Sequence, residues 1–256
     1  MRRHREEPVW CLITDIDGTL IGETDSTARL KSTLRAERAR LQAQGGRLYW
    51  VIATGRTRQS CIEVLTEQGF ALDDFDALVT SVGAELEIRE HLPAQAEYRA
   101  RLAASGFDAE RVRACLEPLP FLRLQPEDEQ HVHKVSYWAQ NNPAQRALVQ
   151  NALATLPFCT QIGFSHDEYL DIAPDNGAKG GAVRHLLEHW TIPARRAVAA
   201  GDSGNDRSML CCEWYGIVVG NGHGELDDLR GREMTFFATQ RHAAGILQGL
   251  EALGFM

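Results

Sequence analysis

Short apolar runs that end in acids or hydroxyls alternate along this chain with longer stretches of helical period. Residues 9–14, "VWCLIT", form an uninterrupted apolar and β-prone run, the pattern of a strand buried on both faces. From Ser26, which offers a helix N-cap, Leu30, Leu34 and Leu41 recur on one side until Gly45-Gly46. "RLYWVIAT" (47–54) reads as a second buried strand, "TRQSCIEVLTEQG" (57–69) as a second helix stopped by Gly69, and "ALVTSVGAELEI" (77–88) as a third strand or strand pair. Strand, helix, strand, helix, strand is the order of a parallel sheet with crossover helices.

From about Arg89 to Tyr169 the pattern changes. A helix over 108–116, a strand at "HKVSYW" (133–138), a helix over 143–156 and a strand at "CTQIGFS" (159–165) predict a small α+β insert, with "QPEDEQH" (125–131) as a charged loop. The alternation then resumes. "EYLDIAP" leads into the helical "DNGAKGGAVRHLLEHW", "RAVAAGDSGND" is a strand running into an acidic loop, "YGIVVGN" is a further strand, and "FFATQRHAAGILQGLEALGF" reads as a closing helix. The fold class expected is α/β: a Rossmann-like parallel sheet core (1–87 and 172–256) with an inserted α+β cap domain (88–171). No internal repeat or low-complexity segment interrupts this order.

Composition narrows the uses of such a fold. The 256 residues carry a net charge of −8 and an isoelectric point near 5.6. That balance argues against a general nucleic-acid binder, which needs a basic surface, and leaves room for a small phosphorylated ligand. The six cysteines are scattered without a C-x-x-C pair, as expected of reduced thiols. The opening "MRRHREEPVW" mixes basic residues with Glu6, Glu7 and Pro8 and does not read as a signal peptide. No apolar run approaches a membrane span. A cytoplasmic protein without a membrane or nucleic-acid partner is the expectation.

In an open parallel sheet, ligands bind beyond the carboxyl ends of the strands. Asp15 and Asp17 follow the first strand, Thr54 and Gly55 the second, Asp202, Asn205 and Asp206 a late one, and Lys179 opens a helix. Carboxylates gathered there repel one another and need cations. A hard divalent ion with oxygen ligands fits, Mg²⁺ best where a substrate phosphate shares its shell. Lys179 supplies a second positive charge and Thr54 a hydroxyl. Together these make a phosphoryl-transfer site, in which Asp15 can attack phosphorus and Asp17 can act as acid and base. Each part has a plainer use alone. D-x-D-G can be a turn or a calcium loop, and an isolated Lys179 a surface lysine; the ordered set carries the chemistry. "HVH" (His131, His133) lacks a third ligand and reads as a loop or strand edge. "GAKGG" lacks the P-loop spacing, "VVGNGHG" reads as a turn near the site, and Cys211-Cys212 as packing at a helix end.

"DIDGTL", "ATGR", Lys179 before a helix and "GDSGND" resemble the four motifs of the haloacid dehalogenase-like hydrolases, in the cap-bearing subclass. The resemblance implies Asp15 as nucleophile, Asp17 as acid/base, Thr54 and Lys179 as phosphate ligands, and Mg²⁺ held by Asp15, Asp17 through its backbone carbonyl, and Asp202, with Asp206 and Asn205 supporting metal and phosphate. "TSVGAEL", "HKVSYW", "YLDIAPDNGAKG", "GDSGNDRSML" and the tail are similar to the sucrose-phosphate phosphatases and their relatives, mannosylfructose-phosphate phosphatase included. That likeness implies a phosphorylated disaccharide substrate under a closing cap, with Arg58, Gln59 and Lys134, then Ser165 and Asp171, near the sugar. It also implies a sucrose-phosphate-synthase-like glycosyltransferase as a partner. The chain departs from the D-x-D-N-T-W form of many sucrose phosphatases at Gly18 and Leu20. The departure leaves Asp15, Asp17 and Thr19 in place and leaves related glycosyl phosphates, such as glucosylglycerol or glycerate phosphates, open as substrates. A sugar phosphomutase, a receiver-like phospho-acceptor and an inactive binding domain are the competing readings. An acid two residues after the first and a large insert distinguish a phosphatase from a receiver.

Overall fold

The structure is a computed structural model that describes residues 9–89 and 92–256. The basic N-terminal residues 1–8, and with them most of the stretch read against a signal peptide, lie outside the described residues. The chain runs through β1 (Val9–Thr14), α1 (Thr24–Gln42), β2 (Arg47–Ala53), α2 (Arg58–Glu67), β3 (Ala77–Thr80), β4 (Glu85–Ile88), α3 (Leu92–Ala103), α4 (Ala109–Leu116), β5 (Arg123–Leu124), β6 (Val135–Trp138), α5 (Pro143–Leu153), β7 (Thr160–Ser165), β8 (Tyr169–Pro174), α6 (Lys179–His189), β9 (Ala197–Gly201), α7 (Arg207–Leu210), β10 (Tyr215–Val218), β11 (Thr235–Phe237) and α8 (His242–Ala252). Among the described residues no helix is long and apolar enough to cross a membrane.

The fold is mixed α/β. Seven strands form one sheet in the order β11-β10-β9-β1-β2-β3-β4. Its strands pair in parallel except β4, which runs antiparallel to β3. Alternate residues of β1 and β2 serve opposite faces, as a pleated strand requires. Leu12, Trp50 and Ile52 pack with Leu30 and Leu34 of α1 and Ile246 and Leu250 of α8. Cys11, Ile13, Val51 and Ala53 pack with Tyr98 of α3 and Val183 and Leu186 of α6. Burial on both faces explains the continuous apolar runs, and each fully buried leucine or isoleucine contributes about 1.5–3 kcal/mol.

A second, antiparallel sheet has the order β5-β6-β8-β7. Its cluster joins Val135, Phe164 and Ile172 to Val112 and Leu116 of α4 and Val149 and Leu153 of α5.

Packing adjusts several expectations. α3, placed in the insert by the division at residue 88, buries Ala94, Tyr98 and Leu102 against the large sheet. β8, whose "YLDIAP" reads as a return to the core and is cut by a division at residue 172, pairs along its length with β7 in the small sheet. "FFATQ" supplies β11 and a bend before α8 begins at His242. Ser26 is not the cap of α1: the helix starts at Thr24, and the Ser26 hydroxyl donates within the first turn to the Glu23 carbonyl at 2.8 Å. All six cysteines are free thiols.

One strained turn matters for the site. Ser81, Val82 and Gly83 have φ of 51°, 60° and 107°, and for a β-branched valine that region is unfavourable. The turn is held by the Ser81 N–H donating to the Arg56 carbonyl (2.8 Å) and the Val82 N–H donating to the Thr54 carbonyl (3.0 Å). It braces the loop after β2 from below.

Candidate active site

β9 and β2 flank β1, so the residues following these three strands meet at one end of the sheet. Asp15 follows β1 and donates its N–H to the Ala200 carbonyl of β9 at 3.0 Å. Lys179, the first residue of α6, is fully buried. Its ammonium donates to Asp15 Oδ1 (2.8 Å), Asp206 Oδ1 (2.7 Å) and Asn205 Oδ1 (3.0 Å), using its three protons. Asp206 turns its other oxygen to the N–H groups of Asp202 (2.9 Å) and Ser203 (3.0 Å). Asp202 Oδ1 accepts from the Thr19 hydroxyl at 2.8 Å.

Two buried carboxylates therefore share one ammonium, and a third, Asp202, stands beside them without bonding it. Burial pushes the Asp15 carboxyl well above its ordinary value; the Asp206 charge adds to the rise and Lys179 opposes it. Burial and then Asp206 push Asp202 up to about 7, against the Thr19 hydrogen bond and Lys179. Burial works against the charge on Lys179, yet Asp15 and Asp206 more than offset it and its pKa rises. The negative charge exceeds the positive, which is the electrostatic setting of a cation site. Asp15, Asp202 and Asp206 each offer an oxygen within 4.8 Å of the others. Oxygen donors with this excess charge fit Mg²⁺. Asp206 has both oxygens in hydrogen bonds, so its carboxylate acts mainly by holding Lys179 and the loop after β9.

Asp17 lies apart from this knot. Arg56 grips it with Nε to Oδ2 and Nη2 to Oδ1 both at 2.7 Å, and reaches Ser60 Oγ at 2.7 Å. The Asp17 side chain keeps 41% of its surface exposed. Asp15, Asp17, Gly55, Arg56 and Asn205 line the core side of a cavity of about 550 Å³, within the usual range for a small-molecule site. The small sheet supplies the other wall, with Gln125, Glu129, Lys134, Ser165, Glu168, Tyr169 and Asp171 among its residues. Lys134 is buried, with Nζ 4.0 Å from Glu129 Oε2, and Asp171 Oδ1 accepts from the Ser136 hydroxyl at 2.6 Å. Thr54 is buried beneath the floor, its hydroxyl accepting from the Arg56 N–H at 3.2 Å.

Most residues singled out in the sequence thus converge, and two do not. Arg58 pairs with Glu87 at 2.5 Å and lines a separate groove beside β4. Gln59 is exposed and donates to Glu63 one turn on at 2.6 Å. Arg56, Glu129 and Glu168 enter the site without having been singled out. Arg56 stands inside "ATGR", so its signal was present in the motif; Glu129 lies in the charged loop "QPEDEQH", to which no site role was given, and nothing local marks Glu168.

Comparison with known proteins places the chain in a family. The family model described as Sucrose-6F-phosphate phosphohydrolase matches residues 8–254. Mannosylfructose-phosphate phosphatase of Agrobacterium fabrum is 29% identical over 97% of this chain and 98% of its own. Sucrose-phosphatase 2 of Nicotiana tabacum is 28% identical over 93% of this chain, which spans only 58% of that longer protein. The solved structure of the sucrose-phosphatase from Synechocystis sp. PCC6803, in complex with sucrose and phosphate, superposes with a TM-score of 0.86 at 26% identity, covering 99% of this chain and 98% of that one.

Proposed function

The chain belongs to the sucrose-6F-phosphate phosphohydrolase family, within the haloacid dehalogenase-like phosphatases, and from that premise we propose that it hydrolyses a phosphorylated disaccharide in a Mg²⁺-dependent reaction, sucrose 6-phosphate first among the candidates. The observation that carries this reading is the cluster of Asp15, Asp202 and Asp206, with buried Lys179 bonded to Asp15 and Asp206, beneath a two-walled cavity that Asp15 lines.

In this reading the phosphate sits against Asp15, with Lys179, Asn205 and the backbone around Thr54 and Gly55 drawing its charge. Asp15, Asp202 and the carbonyl of Asp17 would hold Mg²⁺, which would neutralise charge on phosphate and carboxylates. A carboxylate oxygen of Asp15 attacks phosphorus. The phosphorus–oxygen bond to the sugar breaks, and an aspartyl-phosphate forms. Asp17 gives a proton to the departing sugar oxygen and then takes one from the water that attacks the aspartyl-phosphate, releasing phosphate and restoring Asp15. Arg56 holds both Asp17 oxygens, which favours the ionised carboxylate, so Asp17 leaves this pair to take up the proton it gives to the sugar oxygen. Lys134, Ser165 and Asp171 on the cap wall face the sugar, whose hydroxyls match their donors and acceptors.

Mannosylfructose phosphate is the second reading, favoured by the near full-length likeness to the Agrobacterium enzyme. Either substrate comes from a glycosyltransferase that joins a sugar to a sugar phosphate, and such an enzyme is the partner this reading implies. The test is phosphate release from sucrose 6-phosphate, mannosylfructose phosphate, glucosylglycerol phosphate and glucose 6-phosphate, with Asp15→Asn as control. A disaccharide phosphate is expected to exceed glucose 6-phosphate in kcat/KM by at least about tenfold, a step of 1.4 kcal/mol, and Asp15→Asn to be inactive. Equal rates on the monosaccharide sink the disaccharide reading. A fully active Asp15→Asn sinks the mechanism.

A further inference from the structure

Two histidines outside the proposed chemistry meet across the two sheets. His166 opens the turn from β7 to β8, and His223 follows β10. Nδ1 of His166 lies 3.0 Å from Nε2 of His223, with the rings 86° apart. Asp202 brings a carboxylate oxygen to the pair, and the three ligand atoms all lie within 4.8 Å of one another.

His166 and Asp167 have φ of 56° and 53°, the left-handed pair at the centre of the tight β7–β8 hairpin turn closed by the Glu168 N–H donating to the Ser165 carbonyl at 3.2 Å. The Asp167 N–H points to Glu225 Oε1 at 3.4 Å, and Asn141 Nδ2 donates to the same oxygen at 3.1 Å. The hairpin turn is thus pinned to the segment that carries His223, and its first central residue meets the second imidazole.

We infer that His166, His223 and Asp202 form a binding site for a divalent transition cation of the zinc, nickel or copper class, joining cap to core. Two imidazole nitrogens and one carboxylate oxygen are the donor set those ions take, whereas Mg²⁺ keeps to oxygen ligands and water. Asp202 is shared with the carboxylate knot, so the two ions occupy adjacent positions. An ion here ties the β7–β8 turn to the loop after β10. It holds the cap against the core and slows turnover at the step where the cap releases product.

The full chain saturated with Mg²⁺ serves for the test. Added Cu²⁺ is expected to give an electron paramagnetic resonance spectrum split by two nitrogens, a readout that needs neither a variant nor a sugar phosphate. Zn²⁺ titrated against a chromophoric chelator is expected to bind at one equivalent, and to slow amide exchange over residues 160–169. His166→Ala and His223→Ala are each expected to weaken Zn²⁺ binding by at least about tenfold, since loss even of a supporting group around a metal costs that much. Equal Zn²⁺ affinity in the wild type and the double variant overturns the inference. So does a Cu²⁺ spectrum without two-nitrogen coupling, or Zn²⁺ that excess Mg²⁺ displaces one for one.

Discussion

Gly18 has the tightest steric constraint in the loop after β1. Its φ is +72°, and a Cβ built on it would lie 2.3 Å from Asp202 Oδ2. Asp202 cannot simply swing away, because Thr19 holds its other oxygen. The Gly18 carbonyl is fixed as well, accepting from Asn221 Nδ2 at 2.7 Å and lying 2.9 Å from His242 Nδ1. Gly18→Ala therefore forces a left-handed alanine and pushes the first acidic loop off the second. The expected outcome is a loss of about 1–2 kcal/mol of stability and a fall of about 100-fold in kcat/KM, the scale of a displacement near 1 Å at reacting groups. Urea unfolding and steady-state kinetics check the two parts, and unchanged kinetics would show that the contact between these loops does not matter. This constraint is invisible in the string "DIDGTL". A glycine after an acid announces a turn, but that its missing side chain makes room for a carboxylate 184 positions along the chain is a fact of tertiary structure. Arg58 and Gln59 miss the cavity for a related reason. Each residue turns a helix by about 100°, so nearness to "ATGR" in sequence leaves the direction of a side chain at the start of α2 undetermined.

At the scale of elements, apolar runs ending in candidate site residues were legible where the strand is buried on both faces toward its carboxyl end, as in β1, β2 and β9. β8 shows the limit. Its last five residues are all buried, so it has no alternation to reveal an antiparallel partner and reads like a core strand. α3 was hidden because its inward positions, Ala94, Tyr98 and Leu102, include a small residue and an amphipathic one. Its place has a consequence for the site. The Tyr98 hydroxyl donates to the Gly83 carbonyl at 2.6 Å in the buried interior. A Cβ on Gly83 would lie 2.5 Å from the Ala178 backbone, immediately before Lys179. α3 thus braces the strained 81–83 turn from one side while the start of α6 closes it from the other. Tyr98→Phe keeps the ring and leaves that carbonyl without its donor, which costs about 1–3 kcal/mol for a buried group. A lowered urea midpoint at unchanged slope is the expected measurement; an unchanged midpoint would show the bond to be dispensable.

Across the whole molecule, the charge imbalance at the sheet's end links metal, pH and stability. Without a cation, Asp202 keeps its proton up to about pH 7 in the folded chain, whereas in the unfolded chain it loses it near the ordinary aspartate value of about 3.9. The folded state binds the extra proton between those values, so this group's stabilising contribution is fully present below about pH 4 and is lost as pH rises through 7. The raised Asp15 carboxyl acts in the same direction. A divalent ion reverses the balance, because it needs the ionised carboxylates and must displace the proton. For one proton released, Mg²⁺ affinity is expected to grow roughly tenfold per pH unit up to about pH 7 and then level off. Its stabilisation follows as RT ln(1 + [Mg²⁺]/Kd). Thermal unfolding of chelator-treated protein, with and without the same Mg²⁺ concentration, should therefore show a larger upward shift of Tm at pH 8 than at pH 5.5. A shift equal at the two values, or larger in acid, would mean that the ion does not compete with these protons and that the knot around Lys179 is balanced without it.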